Sequence, residues 1–323
     1  MMTLRLAAVA LACPCLFLLA SCSADVGSGG TDDAIADDDN PAADMVGSSS
    51  EGLTLTTPIP MRSGAWWGDV STPLVNQLWG DVLNAVPEKN ITEPYTFKWT
   101  CNLPAFAGFS QTLKLSHAMF QFNGGTLMNV NNPLPGATQS YTLDPAAFPA
   151  GWGEVRIRCH AKETQGPNAG NTTAITAGFA VQIRGGTGNL SWGPHSGKDY
   201  VDTHGWYDRG VGYVYATIRN VSDLVGKSLS GVVALDLKAS VSGDTVLDHF
   251  MVKLDGTVAK MADGAPAEFH GTTGTRTIYI DTRGLPNGTH TLAMHCHGLE
   301  TASSEQPGKQ LAAQVEVSID VRN

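Results

Sequence analysis

Apolar and polar residues alternate along much of this chain, and a period of two is typical of β-strands with one buried face. The clearest run is LSHAMFQFNG at residues 115–124, where the alternation ends in an Asn-Gly pair. The run LDHFMVKLDG at residues 247–256 has the same pattern and ends in Asp-Gly. Both pairs favour tight hairpin turns. The sequence therefore predicts the same strand and hairpin at two places in the chain.

Further segments repeat in the same order. FPAG at 148–151 corresponds to LPNG at 285–288, and in the strands that follow each cysteine precedes His, two other residues, Glu and Thr. The apolar positions of those strands correspond as Val155, Ile157 and Cys159 with Leu292, Met294 and Cys296. A closing strand with Phe179, Val181 and Ile183 is matched to Val315, Val317 and Ile319. These matches indicate two copies of one β-rich unit.

The repeat predicts an all-β chain with two tandem antiparallel β-sandwich domains, at residues 54–185 and 190–323. The segment LPNGTHTL at 285–292, with YID at 279–281 before it, resembles the bacterial immunoglobulin-like modules of cell-surface proteins. The resemblance covers residues 227–322 well and residues 95–185 less well, because the first copy has extra loop residues. It implies two immunoglobulin-like domains, and nothing in the motif is catalytic.

The N-terminus has the pattern of a targeting signal. Arg5 precedes an apolar run at residues 6–20 that is short for a membrane span and contains Pro14, so residues 1–21 are predicted to be a signal peptide. The run ends in Leu-Ala-Ser-Cys at 19–22, which resembles the bacterial lipobox. The resemblance implies that Cys22 is lipidated and holds the protein at the outer membrane or cell surface. The alternative is a conventional signal peptide in which Cys22 is incidental.

Residues 22–53 are predicted to form a lipidated, disordered tether. They contain eight of the chain's 30 acidic residues, no Lys or Arg and no aromatic residue, so they cannot bury enough apolar surface to fold. The formal net charge of the whole chain is -10, and no window concentrates basic residues. Nucleic acid is therefore excluded as an expected partner.

The cysteines distinguish the two copies. Cys101 and Cys159 fall on inward faces of their strands, and their separation is like that of the cross-sandwich disulfide in immunoglobulin domains, so we expect them to be bonded. The second copy has no cysteine in its early strand, which predicts that Cys296 is a buried free thiol against Leu235 or Leu237. A reactive nucleophile at Cys296 is the disfavoured alternative, because its strand position faces inward.

Histidines offer the most suggestive candidate chemistry. His295 and His297 share a strand face and could bind a metal ion, with Glu300 or His290 as further ligands. The first copy has Arg158 and His160 at the corresponding places, so a two-histidine face is not part of the repeat, and we predict neither a metal nor another cofactor. His117 and His249 recur in both copies, which favours a role in the fold. No hydrolase elbow or phosphate loop is present, so no catalytic residue is predicted.

Aromatic residues give the strongest indication of function. Four of them lie beside glycines ahead of the two repeat cores, which favours exposed loops that bind a ligand: Trp66, Trp67, Trp206 and Tyr207. The alternative is that these segments are first strands and inter-domain packing, as the alternation of Tyr213 and Tyr215 suggests. We expect a lipid-anchored, non-enzymatic cell-envelope protein that binds carbohydrate or an envelope protein partner. The rival hypothesis is a secreted polysaccharide-acting enzyme with its site between the domains.

Overall fold

The structure is a computed structural model of the whole chain. It describes residues 59–68, 75–86, 90–104, 111–166, 169–187, 201–207, 212–271, 273–303, 307–308 and 310–323. All of them belong to one compact unit, Ser50–Asn323. The signal peptide, Cys22 and the tether at 22–53 lie outside the described residues.

Strands dominate both copies of the repeat, and the only described helices are two single 3₁₀ turns, Pro145–Ala147 and Val221–Asp223. The first copy contains β1 (Ile59–Gly68), β2 (Val75–Ala85), β3 (Asn90–Ile91), β4 (Tyr95–Asn102), β5 (Leu113–Phe122), β6 (Gly125–Asn131), β7 (Gln139–Leu143), β8 (Pro149–Glu163) and β9 (Thr172–Thr187). The second contains β10 (Val201–Tyr207), β11 (Tyr213–Ile218), β12 (Ser228–Leu229), β13 (Val232–Ser242), β14 (Thr245–Leu254), β15 (Thr257–Val258), β16 (Glu268–His270), β17 (Gly274–Asp281), β18 (Gly288–Glu300) and β19 (Gln310–Val321).

The described strands form two sheets, and almost every pairing is antiparallel. The first sheet has the order β15-β14-β18-β19-β1-β2-β4-β7, and the second has β17-β13-β11-β10-β9-β8-β5-β6. Their inward side chains form one core. The prediction of an all-β antiparallel sandwich is therefore confirmed.

Each sheet contains strands from both copies. In the first sheet β1 pairs with β19, and in the second β10 pairs with β9, so hydrogen-bonded ladders join the two copies. The strands of the two copies correspond as β1 with β10, β2 with β11, β4 with β13, β5 with β14, β6 with β15, β7 with β17, β8 with β18 and β9 with β19. When each strand of the first sheet is replaced by its counterpart, the strand order becomes the reverse of that of the second sheet. The two copies are thus related by a pseudo-twofold axis. The division into two domains at 54–185 and 190–323 stays a prediction.

The pairing register corrects one part of the repeat alignment. Val155 pairs with Phe179 in the first copy, and its counterpart Leu292 pairs with Val317 in the second. Phe179 therefore corresponds to Val317 and not to Val315, so the predicted match of the closing strands is wrong by two residues. A shift of two preserves the inward face of a strand, so alternation alone could not detect it.

The predicted disulfide between Cys101 and Cys159 is present, with a Cα–Cα distance of 5.6 Å. Closing a loop of this length stabilises the fold by about 4 kcal/mol in the chain-entropy model. Cys296 is buried and unpaired among the described cysteines, as predicted. The register places Ala239 at the position that corresponds to Cys101, because Gly80 pairs with Cys101 and its counterpart Ala216 pairs with Ala239.

β1 of the first sheet packs against β10 of the second at the pseudo-twofold axis. Ala65 and Gly205 are counterparts, and both are buried there. A Cβ atom on Gly205 would lie 2.7 Å from the Cβ atom of Ala65, which is closer than two carbon atoms can pack. The absence of a side chain at residue 205 therefore allows the two strands to lie this close together.

Both predicted hairpins form as expected. Asn123 and Asp255 have positive φ angles of 48° and 50°, and each is followed by a glycine that also has positive φ. The Asn123 side chain accepts a hydrogen bond from the backbone N–H of Glu154 at 2.7 Å, and Asp255 accepts one from Thr291 at 2.9 Å. The turn residues thus fix both the hairpin and the next strand in the sheet.

Candidate functional site

The outer face of the first sheet carries polar side chains in three cross-strand rows. Alternate residues of these strands belong to the core, so the residues in the rows point away from it. The charged row is Lys253, Ala293, Glu316, Arg62, Asp81 and Thr100. The central row is Met251, His295, Gln314, Gly64, Trp79 and Asn102. The histidine row is His270, His249 and His297.

Trp79 belongs to the central row and also contacts Arg62 of the charged row. Its ring covers Gly64, where an added Cβ atom would lie 2.5 Å from the ring. The Arg62 guanidinium lies 4.5 Å from the ring centroid in a cation–π contact. The indole N–H donates to Gln77 Oε1 at 3.0 Å. Glycine at residue 64 thus allows the ring to lie flat on the sheet.

Asp81 connects three polar side chains beside Trp79. Its carboxylate lies 2.9 Å from Arg62 Nε and accepts a hydrogen bond from Asn102 Nδ2 at 2.6 Å. Thr100 donates a longer hydrogen bond of 3.4 Å to the same carboxylate. The Arg62 side chain is 47% exposed and that of Asp81 is 22% exposed, so a ligand at the surface could reach both.

Burial perturbs the other charged groups of the face. It raises the pKa of Glu316, an effect that the hydrogen bond from Gln314 and the charge of Arg62 partly offset. Burial also lowers the pKa of Lys253, opposed by the charge of Glu316. These shifts favour the neutral forms. The carboxylate and the ammonium group therefore lie where solvent is partly excluded.

His295 is the most deeply buried histidine on this face, with 2% of its surface exposed. Its Nδ1 lies 2.7 Å from Gln314 Oε1, and Gln314 Nε2 in turn donates to Glu316. Burial lowers the pKa of His295 to about 2, with His297 as the next largest cause. His295 is consequently a neutral member of a polar chain that runs across β18 and β19.

The other suggested metal ligands are not beside His295 and His297. Glu300 lies near Gly212, whose added Cβ atom would be 3.1 Å from the carboxylate. His290 lies between Asp255 Oδ2 at 2.6 Å and the Pro286 carbonyl at 2.8 Å. Within the described residues, no group of three or more His, Cys, Asp or Glu side chains has its donor atoms arranged for a metal ion.

The recurrent histidines form two equivalent cross-strand pairs. The His117 ring stacks on His160 at 4.0 Å between centroids, and His249 stacks on His297 at 4.5 Å. Burial lowers the pKa of His160 to about 3 and that of His297 to about 4. The repeated histidines are therefore partners of each other, a relation that sequence reasoning missed because they are far apart in the chain.

The Glu-Thr pair that recurs after the cysteine of each copy makes hydrogen bonds to neighbouring segments of the same copy. Glu163 accepts a hydrogen bond from Asn76 Nδ2 at 2.8 Å, and the Thr164 N–H donates to the Thr112 carbonyl at 2.9 Å. In the second copy the Thr301 N–H donates to the Asp244 carbonyl at 2.8 Å. This part of the motif is explained by the fold.

The four aromatic ligand candidates lie in strands, so of the two interpretations the first-strand one is confirmed and the exposed-loop one is wrong. Trp66 and Trp67 belong to β1, and Trp206 and Tyr207 to β10. Both strands are internal to their sheets. The backbones of Trp66 and Trp206 occupy equivalent register positions, opposite Ala312 and Ala174. The side chains of all four lie outside the described part.

Aromatic residues on the neighbouring strands are described. Tyr213 and Tyr215 share a face of β11, with ring centroids 5.9 Å apart. Tyr215 is the counterpart of Trp79, because each is the partner of the corresponding residue in β10 or β1. Sequence reasoning missed Arg62, Asp81 and Gln314. The alternation of Gln314 and Glu316 with buried valines was the available sign of an outward polar face.

No helix within the described residues has the length and apolar character needed to cross a membrane. No protein-family model matches this chain, and the curated proteins contain no match to it.

Proposed function

We propose that this protein is a lipid-anchored, non-enzymatic cell-envelope protein that binds carbohydrate on the outer face of the first sheet. The supporting observation is Trp79 beside the linked side chains of Arg62, Asp81 and Asn102. Sugar rings offer apolar C–H faces to aromatic side chains, and neighbouring hydroxyls to carboxylates, amides and guanidinium groups. An envelope protein is the alternative ligand.

The charge of the face favours a neutral or weakly charged glycan. Arg62 and Lys253 are balanced by Asp81 and Glu316 in the same row, so neither sign dominates. Steering of a strongly charged ligand needs an excess of one sign. Ligand binding here would rest on hydrogen bonds and contact with the aromatic ring.

A glycan array probed with the mature chain, with Cys22→Ala to keep it soluble, tests the proposal. We expect binding to a subset of glycans and no cleavage products when the bound glycans are incubated with the protein. Trp79→Ala should weaken binding about tenfold or more, the loss of roughly 1.4 kcal/mol or more from one aromatic contact. Tyr215→Ala, at the counterpart position on the second sheet, is the matched control and should leave binding intact.

Thermal melts on the same samples separate loss of contact from loss of fold. If both variants lower affinity only in proportion to their unfolded fraction, the first sheet is not the binding face. Release of shorter glycans would support a polysaccharide-acting enzyme. An array without hits, together with specific capture of one envelope protein, would support the protein-ligand alternative.

The lipid anchor is tested separately, because it rests on Leu19-Ala20-Ser21-Cys22 alone. We expect mass spectrometry to find an acylated Cys22 at the mature N-terminus. Cys22→Ala should move the protein from the membrane fraction to the soluble fraction. An unmodified mature N-terminus at another residue would refute the anchor while leaving the binding proposal untouched.

A further inference from the structure

The outer face of the second sheet carries an arginine that no acceptor in the described residues binds. Arg158 lies on β8 and points away from the core, because its neighbours Ile157 and Cys159 belong to the core. Its Nε is buried and has no hydrogen-bond partner within the described residues. Every other described arginine has a carboxylate, an amide or hydroxyl oxygen, or an aromatic ring as its partner. Arg158 therefore differs from the arginines that the fold uses.

Two residues beside Arg158 also have buried polar atoms without a partner in the described part of the chain. Thr176 on β9 is directly opposite Arg158, and its hydroxyl oxygen has no hydrogen bond. His160, two residues further along β8, has neither ring nitrogen bonded. Thr176 is 1% exposed and His160 is 8% exposed. Such atoms are rare in folded proteins, so their concentration at one place favours a site that a group from outside the chain completes.

The second copy shows which chemical group is missing. There His295 and Gln314 occupy the positions that correspond to the arginine and the threonine, and they are joined by a hydrogen bond. Gln314 Nε2 donates in turn to the carboxylate of Glu316. In the first copy the counterpart of Glu316 is Gly178, which has no side chain. The first copy therefore has a stronger donor than the second copy at this position, and lacks the carboxylate.

Charge and exposure at Arg158 suit an anion. Of its guanidinium nitrogens only Nε is buried without a partner, and the residue as a whole is half-buried, so the two terminal nitrogens can be reached from solvent. Burial lowers the pKa of Arg158, which Tyr213 opposes and the charge of Arg156 reinforces. Arg156 is itself paired with Glu154. Burial also lowers the pKa of His160 to about 3, so this ring is neutral near pH 7. Arg158 thus supplies one positive charge that is partly withdrawn from water.

We propose that Arg158 binds the carboxylate of an acidic saccharide, with the Thr176 hydroxyl as a second donor. A planar guanidinium group matches a carboxylate with two parallel hydrogen bonds. Directly opposed side chains have Cβ atoms roughly 4.5–5.5 Å apart, so one carboxylate can reach both residues once the Arg158 side chain turns toward it. The aromatic ring of Tyr213, near Arg158, suits the C–H face of a sugar. This second site lies on the opposite sheet from Trp79 and does not depend on binding there.

Titration of the ¹⁵N-labelled mature chain carrying Cys22→Ala with D-glucuronate tests the site by nuclear magnetic resonance. We expect saturable shifts of the backbone amide signals of β8 and β9, with a Kd of roughly 1 mM or tighter. The Nε–H signal of Arg158, identified by its loss in Arg158→Gln, should shift as well. Glucose, a neutral sugar of the same ring size, should not shift these signals. Trp79→Ala should leave the glucuronate shifts intact, so the two binding proposals can fail separately.

Arg158→Gln should weaken glucuronate binding at least about tenfold. It should not lower the unfolding temperature, because it removes a partly buried charge that has no partner. The matched control is Lys162→Gln, which removes the same charge from an exposed residue on the same face of β8 and should change the affinity less than about twofold. The proposal is overturned if glucuronate shifts no signal of β8 or β9, if glucose shifts them equally, or if Arg158→Gln leaves the affinity unchanged.

Discussion

At the scale of single residues, the difference between the two copies is clearest around the disulfide. Gly80 lies beside it, and an added Cβ atom there would be 3.3 Å from Cys159 Sγ. In the second copy the counterparts of Cys101 and Gly80 are Ala239 and Ala216, both buried. The first copy thus has two cysteines and the space for their bond, whereas the second has one cysteine and a methyl group in that space.

The second copy should accept the same disulfide. In the double variant Ala239→Cys and Ala216→Gly, we expect a bond to Cys296, because these substitutions reproduce both the cysteine pair and the open space. The chain-entropy model gives a stabilisation of about 4 kcal/mol, less the cost of glycine in a strand, about 0.5–1 kcal/mol. Non-reducing peptide mapping and thermal melts with and without reductant measure the result.

Ala239→Cys alone serves as the control for space and should oxidise more slowly or less completely. If the double variant stays reduced under conditions in which Cys101 and Cys159 are bonded, then Ala239 is not the counterpart of Cys101. The correspondence of β4 with β13 would then be wrong.

His290 shows how a single residue makes stability depend on pH. Its two nitrogens face a carboxylate and a carbonyl, which are both acceptors, so the doubly protonated ring satisfies both. The hydrogen bond with Asp255 raises the pKa of His290 and lowers that of Asp255. The histidine contribution is complete below its unfolded pKa of about 6.5 and is lost as pH rises through the raised value. The aspartate contribution is lost as pH falls below about 4.

His290→Gln should therefore destabilise the protein more at pH 5.5 than at pH 8.5. Because Asp255 is half exposed, we expect a difference of roughly 0.2–1 kcal/mol, the range for screened ion pairs. Denaturant unfolding of both proteins at the two pH values measures it. The buried His160, His295 and His297, whose pKa values are lowered, destabilise both proteins equally in acid and cancel in the comparison. A loss that is equal at both pH values would mean that His290 acts by packing alone.

At the scale of elements, alternation predicted most strands of the two cores and both hairpins. It also predicted that Cys101 and Cys159 lie on the inward faces of their strands. It left β1 and β10 open between first strands and exposed loops, because glycines beside adjacent aromatic residues suggested loops. The structure explains the glycines in other ways: Gly64 makes room for the Trp79 ring, and Gly205 makes room for Ala65 on the opposite sheet. Both contacts depend on how strands pair or pack in the folded chain, so no local pattern reveals them.

The contact between β1 and β10 can be tested by adding a methyl group at residue 205 and then removing one at residue 65. Gly205→Ala would place two Cβ atoms 2.7 Å apart and force the sheets to shift. We expect a loss of roughly 1–3 kcal/mol in the free energy of unfolding, the usual range for overpacking. Adding Ala65→Gly removes the opposing atom and should restore most of the stability. Chemical denaturation of the single and double variants measures the coupling between the two positions.

Gly284→Ala is the control substitution, because an added Cβ atom there meets nothing within 4 Å. It should be neutral or slightly stabilising. If Gly205→Ala behaves like this control, the two sheets are not in contact at residues 65 and 205.

At the scale of the whole molecule, the repeat was visible in the sequence but its consequence for the sheets was not. A strand has the same alternating pattern whether its neighbour belongs to its own copy or to the other. The pairing of β1 with β19 and of β10 with β9 therefore leaves no sign in composition or period. Each copy contributes four strands to the main strand order of each sheet: β1, β2, β4 and β7 of the first copy lie in one sheet and β5, β6, β8 and β9 in the other, and the second copy is divided in the same way. The immunoglobulin-like assignment stays a prediction.

The shared sheets predict that the two copies fold together. The mature chain should unfold in one calorimetric transition, with equal van't Hoff and calorimetric enthalpies. Residues 190–323 produced alone would expose the edges of β10 and β19, which the other copy covers in the full chain. Exposed edges pair with other chains. Because β10 and β19 are the counterparts of β1 and β9, two copies of this fragment can restore both missing ladders around a true twofold axis.

We therefore expect the fragment of residues 190–323 to form a homodimer whose unfolding temperature rises with protein concentration. Light scattering after size-exclusion chromatography and melts at several concentrations measure this, with the full mature chain as the control. The same fragment carrying Gly205→Ala should dimerise more weakly, because the residue at position 205 would face its own copy across the twofold axis. A fragment that stays monomeric and unfolds sharply at a temperature independent of concentration would contradict the prediction. It would show instead that each copy is an independent domain, and that the continuous ladders contribute little to stability.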